Sequence, residues 1–238
     1  MAEPVIIEAA INGTTTKDDN EDKDLALRLV LSPFKTTDVD ALKKLHLGFA
    51  LTYGRRDGDV GGENFETAVD TDYFELVDGV EADGHLLRVG GELAYYLGPF
   101  SVRSELMALQ QEDLSLAGAE EDLDLFGWYV TLTYLITGED ATNKRLKVEN
   151  PLNPLADEWG TGAFEVAVQV SQVSIDDDII DAGFAGGTDE ALAFTFGLNW
   201  YLDDFVLMRF NYLRTEFDDD IGFGDNEDAF LMRLQIEF

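Results

Sequence analysis

Apolar and polar residues alternate along most of this chain, which is the pattern of β-strands that separate two environments. In the closing stretch AFLMRLQIEF (229–238), every even position is apolar, whereas Arg233, Gln235 and Glu237 fall on odd positions. The same period of two recurs at residues 5–12, 25–31, 45–53, 85–97, 101–109, 128–136, 164–173, 191–202, 205–214 and 229–238. No helical period of comparable quality is present. The sequence therefore predicts an all-β protein with about ten strands.

The connections between these stretches alternate between short and long. Gly98-Pro99 and Asp203-Asp204 mark two-residue turns, and much longer segments precede and follow them. Such alternation is typical of outer-membrane barrels, in which periplasmic turns are short and extracellular loops are long. Lipid cannot satisfy backbone donors and acceptors, so membrane strands must close on themselves. The prediction is one antiparallel up-and-down transmembrane β-barrel domain over residues 1–238, with a soluble barrel or sandwich as the alternative.

The composition of the two faces favours the membrane barrel. The apolar face is large and aromatic, and the opposite face carries Gly, Ala, Ser, Thr, Asn and Gln with a few charges. In a membrane barrel the first face contacts lipid and the second lines the lumen. Aromatic residues gather near both ends of the strands, as interfacial girdles do. They are Phe34, Tyr95, Phe100, Trp200, Phe205 and Phe238 at the short-turn end, and Tyr53, Phe126, Trp128, Tyr212 and Phe217 at the long-loop end.

Acidic residues dominate the charge of the chain, with 49 Asp+Glu against 16 Lys+Arg and a net charge of −33. Most of the acids lie in five segments on the predicted long-loop side, at 18–24, 57–83, 112–124, 176–190 and 218–228. We interpret them as solvated acidic extracellular loops. The charge argues against a nucleic-acid partner, which would need a basic face. The absence of Cys and the presence of only two His argue against a thiolate metal site and most His-dependent chemistry, so no metal or cofactor is predicted.

Several stretches resemble one known family, the phosphate-selective porin O and P family. They are residues 24–54, GGELAYYLGPFSVRSEL (90–106), GWYVTLTYLITGED (127–140), GAFEVAVQVSQVSID (162–176) and GLNWYLDDFVLMRFNYLRTEFDDD (197–220). The last strand, ending in Phe238, resembles the assembly signal of outer-membrane barrels. The resemblance implies a 16-stranded, usually trimeric, anion-passing channel of the bacterial outer membrane. This chain resembles the C-terminal ten strands. It is therefore either a part of a larger barrel or a smaller closed barrel.

On this strand assignment, a set of charged residues faces the lumen. The predicted pore-lining residues are Arg28, Lys44, Arg88, Glu92, Arg103, Glu105, Glu165, Arg209 and Arg233, with His46, Glu8 and Glu237 on the same face. An arginine fork suits phosphate-like oxyanions because it donates two parallel hydrogen bonds. The arginines are either a permeation track or the partners of lumen glutamates that hold the wall together. Arg103 beside Glu105 and Arg88 beside Glu92 suit the second interpretation.

The predicted function is therefore a porin-like channel for small ions or solutes, with anions such as phosphate as candidates. The alternative is a truncated or engineered membrane barrel with a structural role and little or no conductance. Predicted partners are membrane lipid, lipopolysaccharide, small anions and two further copies of the chain in a homotrimer. Divalent cations could bridge lipopolysaccharide to residues 176–178 or 218–220, although solvated charge is the preferred interpretation.

The rim residues Asp83 and His85 and the segment 138–161 each allow more than one interpretation. Asp83 and His85 lie near the extracellular rim, where a base and its orienting carboxylate are conceivable, but no nucleophile accompanies them, so no enzyme is predicted. The segment 138–161 is long yet falls on the short-turn side. It is either an ordered periplasmic excursion or the sign of a miscounted strand pair.

Overall fold

The protein consists mainly of one curved, antiparallel ten-stranded sheet. The structure, a computed structural model, describes residues 5–13, 23–153, 155, 159–222 and 224–237, with the backbone alone for 5–13. The wall strands are β1 (Val5–Gly13), β2 (Lys23–Leu31), β3 (Leu45–Asp59), β6 (Glu81–Leu97), β7 (Phe100–Leu116), β8 (Ala119–Leu135), β9 (Ala163–Ile175), β11 (Glu190–Tyr201), β12 (Val206–Phe217) and β13 (Asn226–Ile236). The all-β prediction and its ten strands are confirmed.

Three short strands form a second sheet at the long-loop end. They are β4 (Asn64–Glu66), β5 (Asp72–Leu76) and β10 (Ala185–Gly187), arranged with β5 in the centre. The helical elements of the described chain are a 3₁₀ turn at Asp40–Leu42 and the single-turn helix α1 (Asp178–Asp181). None of the described helices is long and apolar enough to cross a membrane.

Each wall strand pairs with the wall strands that precede and follow it in sequence. The register keeps the polar positions of neighbouring strands together: Arg209 on β12 lies opposite Asn199 on β11 and Arg233 on β13. Within the described part of the chain, β1 and β13 each have one neighbour, and the sheet is open between them. A closed ten-stranded barrel is therefore not the arrangement that these strands form.

The apolar face of the sheet points outwards. On β8, Leu132 and Tyr134 are 43% and 49% exposed, whereas the alternate residues Thr131 and Thr133 are 8% and 4% exposed. On β11 the outward Phe196 is 53% exposed, while Thr195, Asn199 and Tyr201 line an internal cavity. A soluble sandwich would bury the apolar face instead. The orientation predicted for a membrane barrel is confirmed.

The prediction that all five acidic segments are loops is wrong for two of them. Most of 112–124 continues β7 and β8 to a two-residue turn at Ala117 and Gly118, with φ of 51° and 90°. This is the turn that matches the twist of paired strands. In 57–83, the ends of β3 and β6 and the short strands β4 and β5 are all extended. On the other side, Gly98-Pro99 is a two-residue turn as predicted, whereas Asp203-Asp204 belongs to the four-residue connection 202–205.

A hydrophobic cluster closes over the long-loop end, and we call it the mouth cluster. It joins the second sheet and α1 to inward-facing residues at the upper ends of the wall strands. Its members include Phe74, Leu76, Val80, Leu114, Leu123, Ile175, Ile179, Phe184 and Phe217. Phe217 is therefore buried among these residues and does not belong to an interfacial girdle. Burial also raises the pKa of the Tyr73 phenol in this cluster.

Main-chain hydrogen bonds fasten the mouth cluster together. The Val77 amide donates to the Phe184 carbonyl at 2.9 Å, and the Thr188 amide donates to the Tyr73 carbonyl at 2.8 Å. Gly187 has φ of +109°, and a Cβ there would lie 2.1 Å from the Tyr73 carbonyl oxygen, so this crossing requires glycine. The acidic segments 57–83 and 176–190 thus pack together as one folded cap. Phe238, the predicted assembly signal, lies outside the described residues and stays a prediction.

Removing the Phe74 side chain should open this cap. Phe74 is 2% exposed, so Phe74→Ala leaves a cavity that costs about 3–5 kcal/mol. We expect amide hydrogen exchange across 60–80 and 175–188 to accelerate by at least about a hundredfold, since each 1.4 kcal/mol of lost stability is about tenfold. Phe196→Ala on the outer face of β11 is the matched control. Equal exchange in the two variants would contradict a packed cap.

The candidate pore-lining face and its chamber

The inward face of the sheet encloses a polar cavity, which we call the chamber. Its volume is about 600 Å³, and residues from seven wall strands line it, namely β6, β7, β8, β9, β11, β12 and β13. Alternation along each strand brings these side chains inside, because every second residue of a wall strand faces the same way. The polar residues that line it include Ser101, Arg103, Thr131, Glu165, Gln169, Asn199, Arg209 and Asn211. Side chains that are distant in sequence thus line one cavity.

The predicted pore-lining residues divide into three groups. Arg103, Glu165 and Arg209 line the chamber. Arg28, Arg88, Glu92, Glu105 and Arg233 lie on the same face by strand register. Lys44 lies at the foot of β3, where its ammonium is 3.9 Å from Asp140. The structure thus places all of them except Lys44 on one face of the wall, and their role in permeation stays a prediction.

Most of the arginines on this face lack an acidic partner. The exception is Arg28, which forms a 2.8 Å ion pair with Glu92. Among the residues that the structure describes, Arg88, Arg103, Arg209 and Arg233 have no carboxylate at ion-pair distance. The Arg209 Nε is buried and has no hydrogen-bond partner there. The predicted pairs Arg103–Glu105 and Arg88–Glu92 do not form, and the wall-holding interpretation applies to Arg28 alone.

Neutral donors hold the two remaining central glutamates. The Tyr129 hydroxyl donates to Glu105 at 2.8 Å. Glu165 is 9% exposed and accepts from the Asn199 amide at 2.7 Å and the Tyr201 hydroxyl at 2.9 Å. A buried carboxylate needs such donors to offset its lost hydration. Sequence reasoning did not single out these donors, although Tyr129 and Tyr201 fall on the polar side of the period-two pattern, where a tyrosine needs a partner.

Two arginines face each other across neighbouring strands. Arg209 on β12 lies directly opposite Arg233 on β13 in the register. Like charges in such positions repel and destabilise a sheet. An anion between or beside the guanidinium groups would offset that repulsion. The arrangement therefore suits a site that anions visit.

An ordered segment forms the floor of the chamber, and we call residues 138–148 the foot segment. The Ala141 amide donates to the Gly98 carbonyl at 2.7 Å, and the Val148 amide donates to Asp204 Oδ1 at 2.8 Å. Arg145 donates through Nε to Glu237 at 3.0 Å. Its guanidinium carbon lies 4.7 Å from the centre of the Phe205 ring. The foot segment crosses the lower end of the inward face, and the described part of 138–161 adds no wall strand, as the ordered-excursion interpretation expects.

A hairpin forms the roof. The turn between β4 and β5 begins from the β3 side of the sheet, and Ala68 within it lines the chamber. The Thr71 hydroxyl donates to Glu227 on β13, at the far side of the wall. The hairpin therefore spans the concave space, and the chamber is bounded both above and below.

At the acidic rim, Asp83 and His85 bind different partners. Asp83 pairs with Arg55, and His85 stacks on Tyr53 with ring centres 5.2 Å apart. The His85 ring also lies 3.4 Å from Glu112. The carboxylates of residues 176–178 lie within 4.8 Å of one another and are exposed. In the other candidate cation segment, 218–220, Asp220 accepts hydrogen bonds from the backbone amides of Gly222 and Gly224 at 2.8 and 3.0 Å.

Comparison with known proteins agrees with this geometry. The profile of the phosphate-selective porin O and P family matches residues 3–238. The chain belongs to this family. Porin O of Pseudomonas aeruginosa is 31% identical over 160 residues, which are 63% of this chain and 34% of that protein. The chain thus spans about a third of the length of this relative. As a porin-family barrel, the protein resides in the bacterial outer membrane.

Solved structures show the same fold. A loop L8 deletion mutant of OmpT, an outer-membrane protein of Vibrio cholerae, aligns with a TM-score of 0.54 at 12% identity, over 99% of this chain and 60% of that one. OmpT folded in vitro aligns with a TM-score of 0.50 at 12% identity, over 100% of this chain and 57% of that one. At this identity the likeness concerns the barrel fold alone.

Removal of the Arg145 side chain should increase the mobility of the foot segment. Arg145→Ala removes a partly exposed ion pair and a cation–π contact, each worth about 0.5–1 kcal/mol. We expect amide exchange in the foot segment to rise by about five- to thirtyfold, the factor that corresponds to 1–2 kcal/mol. Lys43→Ala, which breaks the exposed pair with Asp40, is the control. Unchanged exchange in Arg145→Ala would show that Arg145 does not anchor the floor.

Proposed function

We propose that this chain forms the wall of an outer-membrane porin channel through which small anions diffuse, phosphate among them. The observation that carries the proposal is the set of inward-facing arginines that have no acidic partner among the described residues, above all Arg209 opposite Arg233 with Arg103 in the same chamber. Selectivity in a pore follows from its diameter and the charges that line it. A lining with unpaired guanidinium groups attracts anions and repels cations.

The chemistry of arginine narrows the class of anion. A guanidinium group donates parallel hydrogen bonds to the oxygens of phosphate or carboxylate, which a halide cannot accept in the same way. The name of the family, phosphate-selective porin, supports phosphate as a solute. Because this chain spans about a third of Porin O, transport by the whole assembly is proposed here.

The outer face supports lipid partners. The exposed residues Phe126, Leu132, Phe196 and Leu198 form an apolar surface that hydrocarbon would cover. The acidic rim above it lies at the level where lipopolysaccharide phosphates and divalent cations would meet the protein. Assembly as a homotrimer is the arrangement that the family resemblance implies, and the outer face is the surface that would form its contacts.

A second candidate function is a membrane barrel with little or no conductance. It is favoured by the roof and the floor, since the β4–β5 hairpin and the foot segment both cross the concave space. In this case the chamber would be an enclosed polar space, and the arginines would serve no permeating ion. Single-channel recording separates the two functions.

Neutralising the chamber arginines should weaken anion preference. With the protein in planar bilayers, we expect open-channel steps and an anion-selective reversal potential in a KCl gradient. Arg103→Gln and Arg209→Gln should each lower the anion-to-cation permeability ratio by about sixfold, because one unit charge about 8 Å away in water changes the local concentrations of anions and of cations by about two- to threefold in opposite directions. Phosphate should also block chloride current less in these variants.

The control for this experiment removes one positive and one negative charge, so the net charge of the protein does not change. Arg28→Gln combined with Glu92→Gln deletes a paired arginine and its carboxylate, so selectivity should stay as in the unmodified protein. Cation selectivity of the unmodified protein, or an unchanged ratio in both chamber variants, would refute the anion channel. Absence of any conductance steps would support the second candidate.

A further inference from the structure

Two carboxylates on the inward face bind neutral groups, although an arginine with no acidic partner among the described residues lies on the same face, two positions along the strand for Glu105 and two strands away for Glu165. Glu105 and Arg103 are two positions apart on β7, on the same face, but the Tyr129 hydroxyl of β8 holds Glu105 at 2.8 Å. The tyrosine therefore takes the carboxylate that the neighbouring arginine could bind.

A similar arrangement occurs across β9, β11 and β12. Asn199 on β11 lies opposite Glu165 on one side and opposite Arg209 on the other. Its amide donates to Glu165 at 2.7 Å, and the Tyr201 hydroxyl donates to the same carboxylate oxygen at 2.9 Å. Arg209 is left with a buried Nε that has no partner among the described residues.

This choice of partners runs against the ordinary strength of the interactions. A carboxylate binds guanidinium more strongly than it binds a hydroxyl or an amide, because both partners are charged and two hydrogen bonds can form. A mobile glutamate beside an arginine would therefore pair with it. The tyrosines prevent this by geometry, since a ring with two side-chain torsions holds its hydroxyl in one place. The Tyr201 ring packs against the cluster of Tyr96, Leu135 and Ala141, which fixes it further.

We propose that Tyr129 and Tyr201 are specificity-determining positioning residues, which bind Glu105 and Glu165 to the wall and so keep Arg103 and Arg209 available to permeating oxyanions. The inference rests on the proposed anion channel and names a control on its selectivity. The tyrosines act through the glutamates and need not contact the anion. Without them, Glu105 would turn to Arg103 on the same strand, and Glu165 would turn towards Arg209 across β11, so that each carboxylate would offset the charge of its arginine.

The test is a pair of variants measured as reversal potentials in bilayers. Tyr129→Phe keeps the ring and removes only the hydroxyl. The net charge stays the same, so the anion-to-cation permeability ratio should fall by about 1.4-fold, the effect in water of a carboxylate that moves from about 10 Å to about 8 Å from the ion. Tyr201→Phe should act in the same direction by a smaller factor, because Asn199 still donates to Glu165. Tyr134→Phe on the lipid-facing side of β8 is the matched control and should leave the ratio unchanged.

A second background separates positioning from a general effect of the hydroxyl. With Glu105→Gln already present no carboxylate remains to be held, so adding Tyr129→Phe should not change the ratio. An equal loss of anion preference in both backgrounds would overturn the inference. So would a Tyr129→Phe variant that retains the original ratio while the unmodified protein is anion-selective. A protein that shows no anion preference at all would refute the proposed function, and the positioning role with it.

Discussion

Hydrocarbon offers no hydrogen-bond partners, and the whole structure depends on that constraint. Every backbone amide and carbonyl inside the membrane must find its partner in the neighbouring strand. A sheet that meets this requirement presents one face to lipid and the other to its own interior, so the chain must alternate apolar and polar residues strand after strand. The polar groups that result are gathered inside, and the candidate pore-lining face is a direct consequence of that separation.

The wall could be predicted from the sequence, because period-two alternation reports which way each side chain faces. Phe196 and Thr195 differ in exposure as their positions in the pattern require. The mouth cluster could not be predicted in this way. Leu114 and Leu123 lie within the acidic segment 112–124, which resembles a loop. They face inwards only because β7 and β8 continue beyond the membrane and carry a bulge near Asp113. The partners of these residues come from remote segments, which local patterns do not reveal.

The sequence was sufficient to predict which residues share the inward face, but not which of them bind one another. The residue types and alternation placed Arg103, Glu105, Glu165 and Arg209 on one face. Spacing along a strand suggested that neighbouring opposite charges would pair, whereas donors from the adjacent strand, such as Tyr129, take the carboxylates. The foot segment was equally hidden, because its anchors at Gly98 and Glu237 are distant in sequence and only the folded wall brings them together. The acidic residues thus lie mainly in the cap, whereas Arg103 and Arg209, which have no acidic partner in the described part of the chain, lie in the chamber beneath it.

The orientation of the two faces can be tested directly, because the chain contains no cysteine and single cysteines can be introduced without background. Thr195→Cys, Phe196→Cys, Leu198→Cys and Asn199→Cys sample both faces of β11. In lipid vesicles, a charged thiol reagent that cannot cross the membrane should modify the cysteines at 195 and 199 and spare those at 196 and 198. Rapid modification at 196 and 198, with 195 and 199 protected, would show that the apolar face is not the one in contact with lipid.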